Sequence, residues 1–157
     1  MKRYVRVLFI CHGNICRSPM CHYYFQHLLV SRGLEAQFYV DSAATSREEI
    51  GNPVHPKTRE KLVQHHIPCG NHRARQLQKE DYKTFDYLIG MDSWNLRNIK
   101  AITGGDPDNK IFKLMEFAGS GCDVADPWYT GDFDATWEDV HRGCDGLLKE
   151  ILSSHSY

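Results

Sequence analysis

The chain has 157 residues, of which 41% are hydrophobic and 25% charged, as in an ordinary globular domain. Its formal net charge of −1 excludes a general attraction to nucleic acid or to an acidic membrane surface, so any anion site must be local. No apolar stretch approaches the roughly 18 residues of a membrane span, and the apolar run at residues 7–11 is too short for an export signal. We therefore expect a cytoplasmic protein without nucleic-acid or membrane partners.

Alternating strand and helix patterns run through the sequence, separated by turn residues. In chain order we predict a strand at residues 3–10, a helix at 17–32, a strand at 37–41, a helix at 57–66, a strand at 85–91, a helix at 93–102, a strand at 110–114 and a helix at 133–152. This order predicts an α/β fold with one domain over residues 1–157, in which helices cover both faces of a parallel sheet. Ligands of such sheets bind beyond the carboxyl ends of the strands, where the loop after the first strand lies.

Six cysteines and nine histidines raise the question of disulfides or of a metal site. A domain of this size needs no disulfide framework, and without an export signal free thiols are expected. The chain contains no CxxC pair and no HExxH sequence, so its spacing does not indicate a zinc site. We predict no metal and no other cofactor.

The loop between the first strand and the first helix reads Cys-His-Gly-Asn-Ile-Cys-Arg over residues 11–17. Gly13 is expected to relax the turn, so that backbone N–H groups beside the helix start form a nest for a dianionic phosphate. The same groups stabilise a thiolate, which makes Cys11 a candidate nucleophile. Arg17 can grip two phosphate oxygens, and the Ser18 hydroxyl can bond to the Cys11 sulfur. The alternative is a buried, inert cysteine beside a surface arginine.

A candidate general acid lies far along the chain, in the segment 126–129, which reads Asp-Pro-Trp-Tyr. If the substrate is a phosphotyrosine, its phosphate ester breaks to release a phenolate. Protonation of this leaving group by a carboxylic acid accelerates the reaction by about 10² to 10⁴-fold. The two rings can form the walls of an aromatic slot. An Asp-Pro pair alone is usually a turn, but together with the Cys11 loop it indicates that Asp126 is a general acid. Attack of Cys11 on phosphorus would form phosphocysteine. Asp126 could then act as the base for the water that hydrolyses this intermediate.

These two motifs, in this order, resemble those of the low-molecular-weight protein tyrosine phosphatase family. Residues 7–20 match its signature loop and residues 126–129 its general-acid loop; the segments 41–43, 72–76 and 85–92 also resemble the family. The resemblance covers nearly the whole chain. It implies a four-stranded parallel sheet, a phosphocysteine intermediate, phosphotyrosine-containing proteins as substrates and no metal. We expect a monomer with at most weak self-association.

The resemblance also implies a role for individual residues. Cys11, Arg17 and Asp126 would be catalytic. The phosphate loop and the aromatic pair would bind the substrate through His12, Gly13, Asn14, Ile15, Cys16, Ser18, Trp128 and Tyr129. His12 lies at a variable family position, and no role of its own is assigned to it.

A hydrogen-bond network would hold the loop in its strained shape, formed by Asn14, Ser18, Ser42 and His72. Asn14 suits a left-handed turn position, which asparagine tolerates better than most residues. Cys16 lies where many members carry a second cysteine. It is either the partner of a reversible disulfide with the nucleophile or a small packing residue.

The chain departs from the family pattern in two segments. Residues 46–50 read Ser-Arg-Glu-Glu-Ile, where members often carry aromatic residues that line the mouth of the site. An acidic wall is expected to disfavour acidic phosphopeptides. Residues 21–24 read Cys-His-Tyr-Tyr, where members usually have Ala-Glu. This segment lies on the helix and is not expected to touch the chemistry.

Four other functions remain open. Arsenate reductases share the fold, but they relay electrons through further cysteines, and residues 79–90 contain none. Phosphoarginine phosphatases tend to carry a small polar residue in place of Ile15 and lack the aromatic pair. A cysteine phosphocarrier needs neither Arg17 nor Asp126, and an inactive binding module would not need every catalytic residue. The sequence favours hydrolysis of phosphotyrosine.

Overall fold

Four parallel strands form the centre of the molecule, in the order β2-β1-β3-β4. The structure, a computed structural model, describes residues 4–155. The strands are β1 (Val5–Cys11), β2 (Phe38–Ala44), β3 (Tyr87–Gly90) and β4 (Ile111–Lys113). The predicted four-stranded parallel sheet is confirmed.

Helices cover both faces of this sheet. They are α1 (Arg17–Ser31), α2 (Pro56–Gln64), α3 (Asp81–Thr84), α4 (Ser93–Thr103), α5 (Pro127–Thr130) and α6 (Phe133–His155), with short 3₁₀ helices at Glu35–Gln37 and Leu114–Ala118. Alternate residues of β1 point to opposite faces. Val7 and Phe9 join the core formed with α1 and α6, whereas Leu8 and Ile10 pack with Ile99 of α4. Among the described residues, no helix combines the length and the apolar character that a membrane crossing requires.

The second strand is longer than predicted. Residues 42–44, expected to begin a loop, continue β2 and pair with residues 9–11 of β1. Small residues carry little strand signal of their own, so the pairing with a buried neighbour decides their conformation. The sequence also missed two short helices, α3 and α5. The predicted start of the first strand, Arg3, lies outside the described residues.

The carboxyl ends of the strands bring distant segments to one edge. Cys11 ends β1, and its carbonyl accepts a hydrogen bond from Thr45 N, just beyond β2, at 2.9 Å. Met91, just beyond β3, accepts one from Val124 N at 2.8 Å through its carbonyl oxygen. The phosphate loop at residues 11–17, the acidic segment at residues 46–50 and the chain leading to Asp126 therefore meet at one edge of the sheet. Such folds bind their ligands at this edge.

Candidate active site

The Cys11 sulfur is surrounded by donors at the carboxyl end of β1. The backbone N–H groups of Asn14 and Ser18 point at it over 3.3 and 3.5 Å, and Ser18 Oγ lies 3.1 Å away. The side chain is only 3% exposed. Donors converging on one sulfur stabilise its negative charge. The predicted contact between Ser18 and Cys11 is present.

The tight turn of the loop is made by Asn14 rather than by Gly13. Asn14 has a φ of 59°, the left-handed conformation expected for it, whereas Gly13 is not among the glycines with positive φ. A Cβ on Gly13 would lie 3.3 Å from Glu49 Cγ. A larger residue at position 13 would have to displace the Glu49 side chain slightly. The left-handed conformation lies at Asn14, which corrects the prediction that Gly13 relaxes the turn.

A buried network supports the loop from below. Asn14 Nδ2 donates to Ser18 Oγ at 2.8 Å, and Asn14 Oδ1 lies 2.8 Å from His72 Nε2, which in turn is 3.3 Å from Ser42 Oγ. The four residues predicted to form this network are thus connected. The side chains of Asn14 and Ser18, also predicted to bind the substrate, lie beneath the pocket.

His22, on α1, is a further member that the sequence reasoning missed. Its Nδ1 lies 2.9 Å from Ser42 Oγ. The signal was its position four residues after Ser18, because residues i and i+4 share one face of a helix. The segment 21–24, which was expected not to touch the chemistry, therefore reaches the support of the loop.

His22, Asp41 and His72 each offer one ligand atom, and these atoms lie within 4.8 Å of one another. Metal binding would compete with contacts already made by these groups. His72 Nε2 and His22 Nδ1 are engaged with the network, and Asp41 Oδ2 accepts from Arg75 Nε at 3.2 Å. A cation here would also face the Arg75 guanidinium. The geometry favours a hydrogen-bond cluster over a metal centre.

Arg17 is buried beside the sulfur and held by three oxygens. Its Nη1 donates to Asp92 Oδ2 at 2.7 Å and to the Val124 carbonyl at 2.8 Å, and its Nη2 lies 3.5 Å from Asp126 Oδ2. Burial acts to lower its pKa, but the negative charges of Cys11, Asp92 and Asp126 outweigh burial and raise the pKa. The guanidinium stays charged and fixed in direction.

Asp92 caps α4, because its carboxylate accepts a hydrogen bond from Asn95 N at 2.7 Å. It also holds Arg17, a role that the sequence analysis missed. The available signal was its place just after β3, because parallel strands end at the same edge.

Asp126 caps α5, accepting from Trp128 N at 3.0 Å. Pro127 opens that short helix, where its missing N–H costs nothing. Trp128 makes an edge contact with His55, at 6.0 Å between ring centroids. The rings of Trp128 and Tyr129 are 62% and 82% exposed, which leaves them free to pack against a ligand.

These groups surround one pocket at the carboxyl edge of the sheet. Its lining residues come from the loop, the acidic segment and the start of α5: Cys11, His12, Gly13, Ile15, Cys16, Arg17, Glu48, Glu49, Asp126, Trp128 and Tyr129. Glu48 and Glu49 form the acidic wall, and His12 Nε2 lies 2.7 Å from Glu48 Oε2. Every residue predicted as catalytic reaches this pocket.

Cys16 is 5% exposed, and its carbonyl accepts a hydrogen bond from the Thr58 hydroxyl at 3.3 Å. Burial, strengthened by the charges of Cys11 and Asp126, raises the pKa of the Cys16 thiol to about 12. This shift describes the reduced site, in which Cys11 carries a negative charge, so the packing role and the reversible disulfide both stay predictions. All six cysteines are free thiols in the structure.

The family model described as low molecular weight phosphotyrosine protein phosphatase matches residues 6–156. The low molecular weight protein-tyrosine-phosphatase YfkJ of Bacillus subtilis is 38% identical over 149 residues, 94% of this chain and 96% of the relative. Its crystal structure superposes with a TM-score of 0.93 over 97% of both chains.

Two other similar proteins bear on the choice of substrate. The low molecular weight phosphotyrosine protein phosphatase of Schizosaccharomyces pombe is 41% identical over 83% of this chain and 85% of its own. The crystal structure of DARP, drosophila arginine phosphatase, is 28% identical and superposes with a TM-score of 0.83, covering 92% of this chain and 96% of that one. The fold therefore serves both kinds of enzyme.

The matched family model spans nearly all of the chain, and the loop, the buried arginine and the distant aspartate come together as the family pattern requires. The chain belongs to the low molecular weight phosphotyrosine protein phosphatase family.

Proposed function

We propose that this protein hydrolyses phosphotyrosine in proteins through a phosphocysteine intermediate. The observation that carries the proposal is the position of the Cys11 sulfur, ringed by donors beside the buried Arg17 at the base of a pocket with aromatic residues at its mouth. The relatives' names support the same substrate. The predicted cytoplasmic location and monomeric state accompany this proposal as predictions.

In the first step, the Cys11 thiolate attacks phosphorus and forms the S–P bond while the P–O bond to the tyrosine breaks. The backbone N–H groups of the loop receive the phosphate oxygens. Arg17, already held in one direction by Asp92, grips two of these oxygens as their charge builds up. Because Arg17 is fixed beforehand, little reorganisation is needed in the transition state.

Asp126 serves both steps of the reaction. Its carboxylic acid gives a proton to the departing phenolate oxygen. In the second step its carboxylate takes a proton from water, the water oxygen attacks phosphorus, and the S–P bond breaks to restore the thiolate and release phosphate. The proposal is supported by the carboxyl's nearness to the arginine that would hold the phosphate: Asp126 Oδ2 lies 3.5 Å from Arg17 Nη2.

Phosphoarginine is the second candidate substrate, because a similar structure belongs to an arginine phosphatase. The pocket favours a flat ring. Ile15 is buried at its inner wall, and the exposed rings of Trp128 and Tyr129 stand at the mouth. Offset stacking of aromatic rings adds stability beyond area burial.

A substrate panel tests this proposal. With a chelator present, we expect turnover of a phosphotyrosine peptide at a kcat/KM about tenfold or more above those of matched phosphoserine and phosphoarginine peptides. The rings of Trp128 and Tyr129 can stack on the phenyl ring of phosphotyrosine, and phosphoserine offers no ring for this contact. A higher kcat/KM for phosphoarginine, or no turnover of phosphotyrosine, would contradict the proposal.

The acidic wall predicts a charge preference among phosphotyrosine peptides. Glu48 and Glu49 line the pocket. Each exposed carboxylate attracts a lysine of the peptide weakly and repels a glutamate weakly, and the two effects favour basic peptides. Peptides with flanking lysines should have a kcat/KM about three- to tenfold above peptides with flanking glutamates, and the ratio should shrink with added salt. The double variant Glu48→Gln/Glu49→Gln should lose the preference, whereas Glu60→Gln on α2 should keep it. Faster turnover of the acidic peptides by wild type would refute this prediction.

A further inference from the structure

A buried histidine on α1 stands at the far end of the network that supports the nucleophile. His22 is 6% exposed; its ring stacks on Tyr23 at 4.7 Å and meets the edge of His72 at 5.2 Å between centroids. Its polar contact is with Ser42 Oγ, 2.9 Å from Nδ1. The catalytic steps proposed above make no use of this residue.

The proton positions in the network follow from its contacts. Asn14 Oδ1 accepts from the backbone N–H of Arg75 at 3.2 Å, so this atom is the amide oxygen. His72 Nε2 lies 2.8 Å from the same oxygen and must therefore carry a proton. Asn14 Nδ2 donates to Ser18 Oγ, which leaves the Ser18 hydroxyl proton free to donate to the Cys11 sulfur.

Ser42 occupies the junction between the two histidines. Because His72 Nε2 presents its proton, Ser42 Oγ must turn a lone pair towards it over 3.3 Å. The Ser42 proton then has an acceptor in His22 Nδ1. This arrangement requires a neutral His22 whose own proton is on Nε2.

The surroundings keep His22 neutral. Burial and the neighbouring His72 lower the pKa of His22 to about 4, and Asp41 opposes them with a smaller effect. The charge of Asp41 is itself shared with Arg75. Burial likewise lowers the pKa of His72, against the pull of Asp41. Both imidazoles are therefore neutral at pH 7, so their tautomers decide the direction of the network.

We propose that His22 is a positioning residue for the Cys11 nucleophile: by accepting the Ser42 proton, it holds His72 in the tautomer that supports the loop. Without His22, the Ser42 proton would turn to His72 Nε2, and the proton of His72 would move to Nδ1, which faces Asp41 Oδ1 at 3.7 Å. Two lone pairs would then oppose each other between His72 and Asn14. Asn14 Oδ1 would lose the shorter of its two hydrogen bonds and keep only the one from Arg75 N–H, which weakens the hold on its side chain and on the Ser18 hydroxyl that this side chain orients.

The positioning role matters for catalysis only if the proposed function is correct. Its test measures the reactivity of the Cys11 sulfur and does not require turnover of a substrate. Iodoacetamide alkylation of Cys11 is followed by the mass of the Cys11 peptide across a pH series. His22→Leu removes the acceptor, whereas His22→Asn keeps an oxygen near the position of Nδ1. His27→Leu replaces another histidine of α1, for which the structure gives no polar contact, and serves as the control.

We expect His22→Leu to move the midpoint of the alkylation profile upward by about 0.5 to 1 pH unit, as for the loss of one oriented donor to a thiolate. His22→Asn should recover most of the shift, and His27→Leu should match wild type. A wild-type profile for His22→Leu, or equal damage by His22→Asn and His22→Leu, would overturn the proposal.

Nitrogen NMR of the wild-type protein tests the proposal without any variant. We expect His72 to be protonated at Nε2 and His22 to be neutral with its proton on Nε2; a wild-type His72 protonated at Nδ1 alone would overturn the proposal even if the variants failed to fold. If wild type does not hydrolyse phosphotyrosine but His22→Leu still shifts the alkylation profile, the proposed function is contradicted. The positioning role of His22 is supported by that same result.

Discussion

Replacement of Cys11 by serine is expected to abolish turnover of phosphotyrosine, with a loss of kcat of about 10⁴-fold or more. The loop is built to stabilise a negative charge on sulfur, with two backbone N–H groups and the Ser18 hydroxyl aimed at it. A serine hydroxyl at the same place stays protonated, so the site keeps its anion nest but loses its nucleophile. Initial rates on a phosphotyrosine peptide and on para-nitrophenyl phosphate measure the loss.

Two measurements separate lost chemistry from lost structure. The Cys11→Ser variant should still bind the phosphotyrosine peptide, with a dissociation constant of the order of the wild-type KM. Arg17 and the backbone N–H groups of the loop remain to hold the phosphate. Cys122→Ser changes an exposed cysteine outside the pocket lining and should keep wild-type rates. Retention of more than about one per cent of turnover by Cys11→Ser would rule out a phosphocysteine intermediate.

Replacement of Asp126 by asparagine should reduce kcat/KM by about 10² to 10⁴-fold on substrates with poor leaving groups. Asparagine can still accept the hydrogen bond from Trp128 N that caps α5, so the loop keeps its shape while the acidic proton is lost. The loss of kcat/KM should be much smaller for para-nitrophenyl phosphate, because para-nitrophenolate departs without protonation. The measurement is a series of aryl phosphates of increasing phenol pKa, compared as log(kcat/KM) against that pKa, because kcat/KM does not include the later hydrolysis of phosphocysteine.

A slope of log(kcat/KM) against phenol pKa that is steeper in Asp126→Asn than in wild type identifies Asp126 as the proton donor. Asp123→Asn is the matched control from the same loop, since Asp123 pairs with Lys113 and does not line the pocket. Equal losses of kcat/KM on good and poor leaving groups in Asp126→Asn would contradict the assignment of Asp126 as the proton donor.

The fold could be predicted from local patterns because the strands and helices differ in period. Alternate side chains of β1 pack into the two cores on opposite faces of the sheet, and α6 has an apolar stripe along one side. The local sequence of each element is therefore enough to predict whether it is a strand or a helix. The extension of β2 through Ser42 could not be predicted in this way. Its conformation comes from pairing with Phe9 in the neighbouring strand.

The sequence by itself determined the family and predicted the roles of Cys11 and Asp126, because short motifs encode residue types at a set spacing. Only the tertiary structure decided that Asp92 holds Arg17 and that His22 reaches Ser42. These contacts join residues 75 and 20 positions apart, and no local pattern specifies which side chains will share a buried space. They depend on how α1 and the sheet edge pack together, and that packing sets the direction of each proton behind the nucleophile.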